Sequence, residues 1–119
     1  MPERQKIGKF GETLAKNYLL KKGYRIIDTN VKISFQEIDI ICFLKGEYIF
    51  VEVKTRTTDS YGQAEEAVDK RKLNNLKKAI LIYFQNKNLY IENVRIDIIA
   101  IEINIFKNIA KIRHYINIY

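Results

Sequence analysis

Four charged residues lie inside what otherwise reads as a β-hairpin. In EIDIICFLKGEYIFVEVK, residues 37–54, two runs rich in Ile, Val and aromatics flank Lys45-Gly46, a turn signal. Glu37, Asp39, Glu52 and Lys54 interrupt those runs. Charges inside strands normally sit on a wet face or blunt a sheet edge. Carboxylates gathered beside a lysine can also hold a cation and move protons. Side chains alternate faces along a strand. Ile38, Ile40, Cys42 and Leu44, with Ile49, Val51 and Val53, make one apolar face. Glu37, Asp39, Ile41 and Phe43 point the other way, opposite Tyr48, Phe50, Glu52 and Lys54. A two-residue turn sets Phe43 against Tyr48, Ile41 against Phe50, Asp39 against Glu52 and Glu37 against Lys54. Directly opposed Cβ atoms lie about 4.5–5.5 Å apart, and like charges at that distance destabilise a sheet. A cation between the carboxylates removes the conflict, and Mg²⁺ suits it because it takes few carboxylates and keeps several waters. A half-exposed face with an ordinary Glu37–Lys54 ion pair also accounts for the pattern, though not for Asp39 facing Glu52.

The elements around the hairpin follow from periodicity. Residues 7–22 have Ile7, Phe10, Leu14 and Tyr18 at helical spacing, with Gly23 as a stop. Residues 24–33 read as a strand, 37–44 and 48–54 as the hairpin, and 55–66 as a polar loop. A second helix is expected from Ala67 to Asn86, with Leu73, Leu76, Ile80 and Tyr83 or Phe84 as its apolar stripe. Strands near 94–103 and 109–118 follow; the β-branched content of IAIEINIF favours strand over buried helix. The order α-β-β-β-α-β-β describes an α/β mixed sheet with helices packed on it.

The chain has 119 residues, which fits one domain over 1–119. Its 47% hydrophobic content supports a core, and its charged start does not read as a signal peptide. No apolar run approaches the roughly 20 residues of a membrane span, so no membrane partner is expected. One Cys rules out an internal disulfide framework, and with one His a Cys/His zinc site is not expected. A cytoplasmic protein fits these features. A net charge of +7 points to a polyanionic partner, nucleic acid ahead of anionic membrane.

An acid on one strand followed by Glu52-Val53-Lys54 on the next resembles the PD-(D/E)XK nuclease superfamily. The likeness extends along the chain. GKFGETLAKNYLLKKGYRIIDTN, EIDII, FVEVKTR, YGQAEEAVDKRK and VRIDIIAIE resemble, in order, the segments of the YraN-type family of small uncharacterised bacterial proteins, which is similar to archaeal Holliday-junction resolvases. One departure is Gln36, where the family usually has Gly. The resemblance implies a restriction-endonuclease-like fold and a Mg²⁺- or Mn²⁺-dependent endonuclease that hydrolyses phosphodiesters in DNA, branched or junction DNA by analogy. It implies metal ligands in Asp39, Glu52, the Val53 carbonyl and Glu12, and a catalytic Lys54, with Glu37 holding Lys54 or supporting the site. It also implies a homodimer. The alternative is a nucleic-acid-binding module that keeps the fold without cleaving.

Candidate DNA contacts lie nearby. Arg56 and Thr55 follow Lys54, and Gln63 sits in the same polar loop. Lys70, Arg71 and Lys72 crowd the start of the second helix, where the helix dipole disfavours cations unless a phosphate partner offsets them. Arg95 and Asp97 share a strand face and are expected to form a structural ion pair. His114 is expected to be satisfied locally, Cys42 to be inert core, and Gly8-x-x-Gly11 to lack the lysine of a phosphate loop.

Overall fold

The structure, a computed structural model, describes residues 3–57, 70–90 and 93–118. The elements run α1 (Glu3–Lys21), β1 (Arg25–Ile33), β2 (Gln36–Leu44), β3 (Glu47–Thr57), α2 (Lys70–Asn86), β4 (Val94–Asn104) and β5 (Ile109–Tyr115). The expected order holds, and the strands form one sheet in the order β1-β2-β3-β4-β5. Only β3 and β4 run parallel, as a connection through α2 requires; the other neighbours are antiparallel. This is the mixed, helix-flanked sheet of the restriction-endonuclease-like expectation.

Each helix covers one sheet face. Ala15 and Leu19 of α1 pack on Ile40, Cys42, Ile49, Val51, Ile99 and Ile101. Beneath α2 lie Leu76, Ile80, Tyr83 and Phe84 against Ile38, Ile41, Phe50 and Ile96. No described helix is long and apolar enough to cross a membrane.

α1 ends as its glycine foretold. Gly23 takes φ 93°, Tyr24 N–H donates to the Leu19 carbonyl, and Gly23 N–H to that of Leu20. These are the paired bonds of a Schellman cap. The buried stripe differs from expectation. Ala15 and Leu19 are fully buried, whereas Phe10 is 52% exposed. Gly11 sets this rotation: a Cβ there would overlap Oγ1 of Thr55 and lie 2.8 Å from its Cβ. The helix backbone therefore rests on β3 at the glycine. Gly11→Ala is expected to destabilise the fold by about 1–3 kcal/mol through overpacking. Gly8→Ala, with nothing within 4 Å, should be neutral or better, by up to about 1 kcal/mol. Urea unfolding of both variants checks the contrast.

Three further corrections concern the strands. β3 continues to Thr57, so Thr55 and Arg56 lie in a strand, paired with Ile101 and Glu102, instead of opening a loop. β5 ends at Tyr115 because Asn117, at φ 56°, turns back to donate its N–H to Asp97, and Ile118 donates to the Ile96 carbonyl. Facing also breaks within β2. Ile38 packs on the α2 side with Ile41, while Ile40 packs on the α1 side with Cys42. Strict alternation would put Ile38 with Ile40. Gln36 enters the sheet without difficulty, paired with Ile33.

Candidate active site

β2 and β3 pair from Leu44–Glu47 to Ile40–Val51 in the expected register. The ladder stops there, so Asp39–Glu52 and Glu37–Lys54 are not paired residues, contrary to expectation. Beyond it Asp39 takes over the role of the missing backbone partner: its Oδ2 accepts the Val53 N–H at 2.8 Å. That bond fixes Asp39 at the mouth of the sheet.

α1 supplies another acid. Glu12, immediately after the glycine that rests on Thr55, comes to Asp39 and Glu37. Carboxylate oxygens of the three lie within 4.8 Å of one another. They line a cavity of about 780 Å³ together with Lys9, Lys16 and Asn30. The Glu37–Lys54 ion pair is replaced by this cluster.

Glu52 is 6% exposed. Its Oε1 meets Lys54 Nζ at 3.3 Å and Lys72 Nζ, from the first turn of α2, at 2.8 Å. Its Oε2 is buried with no hydrogen-bond partner. A buried carboxylate oxygen without a partner costs the desolvation of that group, and its chemistry suits a cation or a donor.

The electrostatics describe a site short of positive charge on one side. Burial, then the charge of Glu52, pushes the Asp39 carboxyl up to about 7, against the Val53 N–H that draws it down. Burial and the neighbouring Glu37 raise Glu12, partly opposed by a hydrogen bond from Asn30. Lys54 is lowered by burial and by Lys72, although Glu52 pulls it up. Lys72 is raised, despite its burial, by Glu52. A lysine lowered by burial and held beside a buried carboxylate has the surroundings of a proton-transfer group.

These donors fit a hard divalent cation. Asp39, Glu12 and Glu37 offer oxygen ligands, while Glu52, expected as a ligand, stands outside that group with its Oε1 on Lys54 and Lys72. Among other candidates, Lys70 is exposed at the start of α2, Arg56 is half-buried on β3, and Gln63 lies outside the described residues. Reading the sequence alone missed Asn30, Lys9 and Lys16 as site neighbours. Asn30 adopts φ 51°, a conformation that suits Asn better than most residues. Lys72, expected as a DNA contact, reaches the Glu52 carboxylate.

Elsewhere, Arg95 donates from Nε and Nη2 to Asp97, both at 2.9 Å, as the structural reading expected. His114 Nε2 is 2.7 Å from Asp97 Oδ2, and its Nδ1 is 3.1 Å from the Tyr18 hydroxyl. Cys42 is buried, and its thiol is pushed up to about 12 by that burial.

Residues 11–101 match the model of "Uncharacterised protein family UPF0102". A UPF0102 protein of Syntrophomonas wolfei is 38% identical over 115 residues, covering 97% of this chain and 98% of the relative. One from Alkaliphilus metalliredigens is 43% identical over 112 residues, covering 93% and 94%. Among solved structures, an fdxN element excision controlling factor protein from Anabaena variabilis is 13% identical, with a TM-score of 0.42, over 88% of this chain and 97% of that one. That likeness is too slight to bear on fold or function. The family match and the near-full-length relatives carry the assignment: the chain belongs to the uncharacterised protein family UPF0102.

Proposed function

We propose that this protein is a metal-dependent endonuclease that hydrolyses phosphodiester bonds in DNA, with Mg²⁺ or Mn²⁺ as cofactor. The observation that carries the reading is the meeting of Glu12, Glu37 and Asp39 at one end of the sheet, beside a buried Glu52 with an unpartnered oxygen and Lys54 at 3.3 Å. Asp39, Glu52 and Glu12 would hold the cation, with the Val53 carbonyl as a further ligand. The bound ion would activate water and offset charge on the scissile phosphate. Lys54 would take or give a proton, and as an ammonium would stabilise charge developing on the phosphate. Glu52 positions Lys54 and Lys72 together. Lys9 and Lys16, lining the cavity, and Lys70 and Arg56 would attract the phosphate backbone. Branched DNA is the proposed substrate.

The test is cleavage of labelled linear duplex, single-strand, flap and four-way-junction DNA with Mg²⁺, Mn²⁺ or EDTA. Glu52→Gln should lower metal-dependent cleavage by more than the roughly 10–100-fold that losing an outer-sphere partner of a metal site costs, while DNA still binds. Cutting that survives in EDTA, or equally in the variant, would refute the reading.

One observation favours a second reading. Two ammonium groups already occupy Glu52 Oε1, which partly neutralises the site without a metal. A non-cleaving DNA-binding module would show binding with a steep salt dependence and no cutting under any metal.

A further inference from the structure

A second cavity lies at the same end of the sheet, on the α2 side. It measures about 310 Å³, and its floor is apolar, with Ile33, Ala79 and Ile82. Gln36, Asn75 and Lys78 supply polar groups around it, and Phe35 stands at its edge. Phe35 is 100% exposed at the tip of the β1–β2 hairpin. A single exposed apolar residue is unremarkable on a protein surface. The setting of Phe35 is more specific.

The two-residue turn Ser34-Phe35 closes on the Ile33–Gln36 pair, and Ser34 adopts φ 57°. A non-glycine residue there is uncommon, and the turn holds the ring away from the core. The strand that follows carries Glu37 and Asp39. At about 3.3 Å per residue, the Asp39 backbone lies roughly 13 Å from that of Phe35. That distance is within the reach of a few nucleotides of an unpaired strand.

We infer that Phe35 and this cavity form a subsite for an unpaired nucleobase of the DNA strand whose phosphate lies at Asp39 and Glu52. This rests on the endonuclease reading above. Every base has a π-face that stacks on an aromatic ring. The amides of Gln36 and Asn75 offer both donors and acceptors to a base edge. Lys78 offers a cation to the backbone, in keeping with the net charge of +7. A base within an intact duplex is already stacked on both sides and cannot enter. The subsite therefore selects DNA with unpaired nucleotides beside the scissile bond, such as flaps, bubbles and branch points.

The experiment measures binding of two oligonucleotides of the same sequence, one with a single unpaired 2-aminopurine and one fully paired. Ca²⁺ replaces Mg²⁺ to limit cutting. Anisotropy reads affinity, and 2-aminopurine fluorescence reads stacking. Wild type should bind the unpaired form tighter and quench the probe. Phe35→Ala should weaken that binding by roughly 5- to 100-fold, equalise the two DNAs and restore fluorescence. Phe35→Trp should retain both signals. Because the ring is fully exposed, thermal melts of all three proteins should coincide. Equal binding by wild type and Phe35→Ala, or no preference for the unpaired form, overturns the inference and leaves the nuclease reading standing. Failure of wild type to bind either DNA overturns both.

Discussion

Asp39→Asn should make the metal-free protein more stable and at the same time abolish metal-dependent cleavage. The carboxyl is raised from 3.8 to about 7, first by burial and then by Glu52. A carboxyl whose folded-state value lies above its unfolded one holds more protons when folded, between the two values. Stability therefore falls as pH rises from about 4 to about 7, and the full penalty persists above that. The shift corresponds to at most about 4 kcal/mol, and water in the open cavity reduces it. We expect a gain of about 1–3 kcal/mol at pH 8 for the variant, shrinking towards zero in acid. Asn keeps an oxygen that can accept the Val53 N–H, so the local bond survives. Urea unfolding in EDTA at several pH values checks the sign. If the proposed metal site is right, Mg²⁺ should then raise the melting temperature of wild type but not of the variant, which lacks one of its ligands. A variant less stable than wild type at pH 8 would show that the Asp39 charge is well compensated without a metal.

Asp97→Ala should be the most damaging substitution outside the site. Asp97 is fully buried and accepts two bonds from Arg95, one from the Asn117 N–H and one from His114 Nε2. With Nε2 donating to the carboxylate, His114 Nδ1 accepts from the Tyr18 hydroxyl, which ties β4 and β5 to α1. Burial alone would raise the Asp97 carboxyl, yet the bonds from His114, Arg95 and Asn117 hold it below its usual value. Its stabilisation is therefore present at neutral pH and lost as pH falls below the ordinary carboxylate range. Removing it leaves the half-buried Arg95 beside Tyr24 without its main counter-charge. Breaking a buried pair in this way costs about 3–5 kcal/mol. For a domain of this size the melting temperature should fall on the order of 10–20 °C. A fall of only a few degrees would mean that the network is hydrated and contributes little.

Much of the architecture was legible because it rests on local rules. The Lys45-Gly46 turn fixed the hairpin register from Leu44–Glu47 to Ile40–Val51. The Gly23 stop and the stripe of α2 followed from backbone conformation and a 3.6-residue period. β-Branched content distinguished the late strand from a buried helix. The helix α1 was harder. Its most hydrophobic spacing included Phe10, but the close approach of Gly11 to Thr55 turned another face inward. Backbone contact with a strand more than forty residues away leaves no mark on a periodicity count.

The same division runs through the candidate site. The sequence by itself determined which acids and lysines stand at the ends of β2 and β3, but it opposed Asp39 to Glu52, which the sheet does not pair. Only the tertiary structure decided their alliances. It ended the ladder at Ile40–Val51, gave Asp39 the Val53 N–H, and changed the facing of β2 between Ile38 and Ile40. It drew Glu12 from α1 to Glu37 and Asp39, and gave Lys72 from α2 to Glu52. The physical reason is that strand alternation and turn register are set by neighbouring residues. Which helix side chain reaches a strand end depends on helix rotation and packing depth, and those are fixed by contacts distant in sequence.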